Sequence, residues 1–281
     1  MNIIKFNNSI LKYSGKWLSS NGSTPPVDPY NPLGLPPNTF RVRVNDGREP
    51  LGIYNTATLV PGTTDIYDVY RSGTNLERMF TGESLDSNNI VEVLGANTTG
   101  VTDISGLFKY CNNMTTVALF DTSSVTDIRS MFYRCSSLTN VPLFDTSNVT
   151  SFGTMFYNCA SLASIPLFDT SNVTDMQSAF NGCRAITSFP LLDTGKVTNM
   201  RYMFNGCIDL RTVPLLDTSS VTNMDNMFNG CIVVQSGALA LYQQASTQTN
   251  PPTSHEYTFK NCGIATQTGL AEYNQIPGDW K

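Results

Sequence analysis

The residues best equipped for chemistry in this 281-residue chain are seven cysteines, one histidine and a spaced series of aspartates. Cys111, Cys135, Cys159, Cys183, Cys207 and Cys231 recur every 24 residues. Asp121, Asp145, Asp169, Asp193 and Asp217 keep the same period. Thiolates can bridge, bind metal or attack a substrate, and carboxylates can hold calcium or move protons. The regular register argues against bridging. Equivalent residues of stacked coils lie about 4.8 Å apart. Their side chains then run parallel, and a disulfide needs them to face each other. A column of free buried thiols is the expected state, with Cys acting as a small hydrophobe. Such a column suits a protein made in a reducing compartment.

Like charges about 5 Å apart repel by roughly 1 kcal/mol in water, so something must hold the aspartates in line. Turn hydrogen bonds from backbone N–H groups would do so, supported by Thr122, Thr146, Thr170, Thr194 and Thr218. The alternative is calcium between coils, with Asp127 or Asp175 assisting, although the glycine-rich calcium-binding nonapeptide is missing. His255 stands alone near the C-terminus. Acid–base catalysis needs a unique convergent group, whereas a repeat array offers many copies of the same groups. No phosphate loop, nucleophile elbow or metal-ligand cluster is present. The expectation is therefore no enzyme activity, no cofactor and no metal.

The elements that carry these residues are repeats. Phe108, Phe132, Phe156, Phe180, Phe204 and Phe228 precede the cysteines by three residues, and Val101, Val125, Val149, Val173, Val197 and Val221 share the period. Pro142, Pro166, Pro190 and Pro214 form a further series, with Ala118 in the first copy. A fixed period without insertions predicts a stacked solenoid. Leu138, Val141 and Leu143 give an L-x-x-L-x-L pattern, so a short strand is expected around 140–144 and its equivalents in every coil. Met176, Ala179, Phe180 and Cys183 form one apolar helical stripe, with Gly182, Gly206 and Gly230 suited to helix ends. The predicted fold class is an α/β repeat: a leucine-rich-repeat-type solenoid of 24-residue coils, with a parallel sheet on one side and short helices on the other.

The units LFDTSNVTDMQSAFNGC and LLDTSSVTNMDNMFNGC resemble BspA-like leucine-rich repeats. The resemblance is strong over 101–231, weaker over 76–100 and absent from 1–75. It implies a surface or adhesion protein and brings no catalytic residues with it. The start MNIIKFNNSILKYSGKW and the end IPGDWK are also similar to phage-encoded members of this repeat family.

Outside the repeats, residues 1–18 are rich in apolar side chains and read as a docking or oligomerisation segment. Residues 19–37 are rich in Pro, Gly and Ser and read as a linker. Residues 38–75 read as a small β-rich N-terminal cap, since Phe40, Val42 and Val44 alternate with Arg41 and Arg43. The solenoid spans 76–234. Residues 235–281 form a C-terminal cap, with a helix expected over 237–246 and an F-x-x-C echo at Phe259 and Cys262.

Charged residues make up 14% of the chain and the net charge is −5, which disfavours nucleic acid. The N-terminus has no signal-peptide core and no lipid-anchor cysteine, and no apolar run is long enough to span a membrane. Binding is expected on the sheet surface, through Thr116, Asn140, Ser164, Ser188 and Thr212, then the prolines, then the series containing Phe144 and Phe168. Those aromatics either face outward as part of the strip or turn inward to fill the core. The inward reading is favoured, because exposed aromatic ladders are unusual. Together these features lead to a non-enzymatic phage virion protein of a tail or fibre. Residues 1–18 would contact other virion proteins or sister chains, with a homo-oligomer possible, and the solenoid would meet a bacterial surface protein or glycan. The alternatives are a BspA-type adhesin on the bacterial cell surface, a virion structural or decoration protein with no receptor role, and a carbohydrate-binding module.

Overall fold

The computed structural model of the chain describes residues 12–13, 16–17, 30–45, 47, 56–81 and 89–281. Of the expected docking segment it describes one antiparallel backbone pair, β1 (Lys12–Tyr13) with β2 (Lys16–Trp17). The rest of that segment, and residues 19–29 of the linker, lie outside the described residues.

Alternation makes β3 (Thr39–Val44) a half-buried strand, with Phe40, Val42 and Val44 inward. It pairs antiparallel with β5 (Ile66–Tyr70) on one side and β6 (Ile90–Asn97) on the other. β4 (Thr56–Leu59) adds to β5. On the far edge, β6 takes up β7 (Thr116–Val117) in parallel, so the N-terminal sheet runs directly into the coils.

The strand expected in every coil forms only at β7 among the described residues, and proline is the reason. The Ala118 N–H donates to the Val93 carbonyl at 2.9 Å. In later coils the equivalent residues are Pro142, Pro166, Pro190 and Pro214, which have no N–H to give. There the chain bends instead: the Phe144, Phe168 and Leu216 N–H groups bond back two residues to the carbonyls of Pro142, Pro166 and Pro214, at 3.0, 3.0 and 3.1 Å. Leu143 points out and Phe144 points in. Of the two facings, only that of Leu143 departs from expectation. What remains of the sheet is one or two backbone bonds per coil, such as Thr139 N–H to Thr115 O and Ala163 N–H to Thr139 O.

The short helices on the other side do not form either. A chain of turns stands in their place, and the amide accounting explains it. In residues 176–183 alternate amides leave the coil. The N–H groups of Met176, Ser178, Phe180 and Gly182 donate to the carbonyls of Asn199, Arg201, Met203 and Asn205 at 2.8–2.9 Å. Those of Ala179, Asn181 and Cys183 close turns three residues back, and Gln177 N–H goes to the Asp175 carboxylate. Nothing is left for an i to i−4 bond. To aim alternate amides along the solenoid, every fourth residue takes positive φ: Ser178 at 55° and Gly182 at 74°, like Thr154 and Asn158, or Tyr202 and Gly206. For a residue other than glycine, that conformation costs about 1–2 kcal/mol.

The core is a set of stacked columns. Phe108, Phe132, Phe156, Phe180 and Phe204 stack on their neighbours with centroids 5.5–5.7 Å apart and ring planes within 17°. The column ends against Phe259 through Phe228. A second column, Phe120, Phe144 and Phe168, packs beside it. Each thiol donates to the phenylalanine carbonyl of the coil before: Cys135 to Phe108, Cys159 to Phe132 and Cys183 to Phe156, at 3.0–3.2 Å. Buried Thr122, Thr146, Thr170 and Thr194 likewise donate to the aspartate carbonyls of the next coil at 2.7–2.8 Å. At the C-terminal end, α1 (Ala238–Thr247) and α2 (Gln267–Gln275) pack against each other, and Trp280 is buried.

Replacing Ser178 with glycine separates a turn chain from a helix. In the turn chain, Ser178→Gly should leave stability unchanged or raise it by up to about 1 kcal/mol. In a helix the same substitution would instead lower stability by about half that, since serine lies between alanine and glycine in helix propensity. Urea unfolding of the two proteins decides the matter.

Candidate functional site

The leucines that follow the prolines form an exposed apolar column. Leu143, Leu167, Leu191 and Leu215 are 47%, 60%, 68% and 57% exposed, unusually high for leucines repeated in register. The candidate polar residues Thr116, Asn140, Ser164, Ser188 and Thr212 are all exposed alongside it, three residues before each leucine. Half-buried Pro142, Pro166, Pro190 and Pro214 separate the two series. The strip is thus hydroxyl or amide, proline, leucine, repeated at the coil spacing of about 4.8 Å.

Phe144 and Phe168, named from the sequence as possible ligand contacts, do not belong to this strip. They are 3% and 2% exposed and pack on Phe132 and Phe156. Phe120, in the coil with Ala118 in place of proline, is buried in the same way, so the inward facing belongs to the coil rather than to the proline.

The aspartate column lies at the next turn. Asp145 Oδ1 accepts the Ser147 N–H at 3.1 Å and its hydroxyl at 2.7 Å. Asp169 does the same with Ser171. Asp121, Asp193 and Asp217 accept the N–H two residues on. These bonds, the Ser hydroxyl first, hold the Asp169 and Asp217 carboxyls below the usual carboxylate range. Among the described residues, no three His, Cys, Asp or Glu side chains come together as a metal site.

The thiols are buried and unbridged. Burial pushes Cys135, Cys159, Cys183, Cys207, Cys231 and Cys262 far up, so none ionises near neutral pH. A protonated, inaccessible thiol is neither a nucleophile nor a metal ligand. His255 stacks on Trp280 at 4.2 Å as part of the C-terminal packing. The geometry on this face therefore offers contact area and hydrogen bonds.

The thiols give a prediction with a sign. The folded chain keeps these six protonated, while the unfolded chain ionises them near pH 8.5. Their contribution to stability is complete below that value and erodes as pH rises above it. Thiol reagent at pH 8 should label none of them in the native protein and all of them after denaturation. Rapid native labelling of any column cysteine would contradict the burial.

Comparison with known proteins gives two matches. A family model described as Mycoplasma protein of unknown function, DUF285, matches residues 74–191 and 187–262. Among solved structures, the T. pallidum leucine-rich repeat protein TpLRR is similar at 19% identity, with a TM-score of 0.43, over 82% of this chain and 96% of that one. None of the curated proteins matches.

Proposed function

From the premise that the chain belongs to the DUF285 family, as a BspA-like leucine-rich-repeat protein, we propose that it is a non-enzymatic surface-recognition protein. The exposed leucine column carries this reading. Contiguous apolar surface rimmed by polar groups is a hallmark of interaction sites. Here Leu167, Leu191 and Leu215, each at least 57% exposed, run beside Ser164, Ser188 and Thr212. A flat strip of this kind suits a protein partner, with leucines supplying desolvated area and hydroxyls fixing register. The placement that fits the family best is a BspA-type adhesin on a bacterial cell surface.

A second reading places the chain in a phage tail or fibre, with residues 1–18 bound to sister chains or other virion proteins. One observation favours it: seven unbridged cysteines, as expected of a protein assembled in a reducing cytoplasm. Stoichiometric peptides in purified phage particles would support that placement over the envelope.

The function is tested with a double variant, Leu167→Lys with Leu191→Lys. Both positions are exposed, so the fold should survive with an unchanged melting temperature. Binding of labelled protein to cells of the source environment should fall at least tenfold, the equivalent of about 1.4 kcal/mol. Unchanged binding would remove the strip from the recognition surface.

A further inference from the structure

A different face of the solenoid, independent of the leucine strip, carries a second concentration of unusual features. It is the turn chain of the first regular coils. The second positive-φ position of that chain is glycine in three coils: Gly182, Gly206 and Gly230. Asn158 fills it in another. In the two coils before, the same position holds Tyr110 at φ 68° and Arg134 at φ 61°. Large side chains in a conformation that glycine adopts freely point to a use for the side chain.

What surrounds them is consistent with that. Tyr110, Tyr133 and Tyr157 form a ridge along the solenoid, with centroids 5.5 and 4.7 Å apart. Lys109 Nζ sits 4.8 Å from the Tyr133 ring centre, and Arg134 Cζ sits 5.7 Å from it. A hollow of about 440 Å³ beside the ridge is lined by Asn112, Arg134, Ser136, Asn158, Ala160 and Arg184. It contains two guanidiniums and no carboxylate. Neither Arg134 nor Arg184 has an ion-pair partner among the described residues. Arg134 Nε is buried and has no hydrogen-bond acceptor. A second hollow, of about 370 Å³, includes Lys109, Arg129 and the hydroxyls of Ser130 and Thr154. Unlike the first, it holds the carboxylates of Glu77 and Asp175. Burial first, then the charges of Arg78 and Arg134, lowers the Lys109 pKa.

We propose that the hollow between Arg134 and Arg184 binds an anionic polysaccharide, whose acidic groups meet the two guanidiniums and whose hydroxyls meet Asn112, Ser136 and Asn158. Guanidinium recognises carboxylate, sulfate or phosphate by paired hydrogen bonds. The unsatisfied Nε marks Arg134 as a guanidinium that the chain itself does not fully bond. The neighbouring amides and hydroxyl can both donate and accept, as sugar hydroxyls require. A polymer laid along the ridge would be held at this one stretch, since the coils beyond it carry glycine at the Arg134 position. An acidic peptide would use the arginines but not this rim of amides and hydroxyl.

The test uses the full chain and four immobilised probes: polygalacturonate, heparin, dextran and polyglutamate. The wild-type protein should bind one or both acidic polysaccharides in a salt-sensitive way, and dextran not at all. A preference between polygalacturonate and heparin identifies carboxylate or sulfate as the acidic group. Arg134→Gly should weaken that binding about tenfold while the melting temperature holds or rises, because glycine is what this backbone position takes in three other coils. Arg184→Gln, at an exposed position, should weaken it similarly. The proposal is overturned if neither acidic polysaccharide binds, or if polyglutamate binds as tightly as they do. It also fails if Arg134→Gly leaves binding intact, or if it lowers the melting temperature, which would make Arg134 a packing residue.

Discussion

The structure depends on backbone hydrogen bonds between coils, held to a register of 23 to 25 residues. In the turn chain, N–H groups donate forward to the next coil, as Phe156 does to Ala179. On the other faces they donate backward, as Thr174 does to Thr150. Every column in the molecule follows from that register. Once the backbones are in step, each phenylalanine must lie over the next, each thiol over a carbonyl, and the threonines from Thr122 to Thr194 under aspartate carbonyls. Stability is then close to a sum of equal nearest-neighbour terms. The N-terminal sheet and the C-terminal helices cover the ends, where a coil would otherwise have no neighbour.

The same register explains where function can reside. The Phe, Cys, Thr and Asp columns are committed to holding coils together. Their repetition looks like a set of sites, yet the thiols are buried and the carboxylates are engaged by the Ser and Gly residues two places on. The surfaces left free are of two kinds. One repeats, as the leucine strip does, and suits a partner that contacts several coils at once. The other varies between coils, as the tyrosine and arginine face does, and marks a particular place along the solenoid.

Much of this was legible in the sequence. The period, the inward cysteines and the turn role of the aspartates all follow from residue spacing. Two local readings failed for physical reasons. The stripe Met176, Ala179, Phe180 and Cys183 fits a 3.6-residue helix, but over two turns it fits equally well a chain that changes conformation every four residues. Only the destination of the amides tells the two apart. The other failure was at the prolines. Leu143 reads as the inward leucine of its repeat, yet the coil turns Leu143 out and Phe144 in, and Pro142 cannot donate to a ladder. Ala118 is the control that the chain itself provides: where the proline is missing, the strand forms. The Arg134 hollow was beyond reach, because it depends on which side chains from four coils converge.

The most direct test of the register is a pair of deletions. Removing residues 161–184 takes out one whole coil and joins equivalent positions, whereas removing 161–182 leaves two residues too many. If inter-coil register holds the fold, the first variant should unfold cooperatively in urea with a midpoint near that of the full chain, and the second should lose cooperativity. Equal behaviour of the two deletions would contradict the account, since stability would then be indifferent to the alignment of the columns.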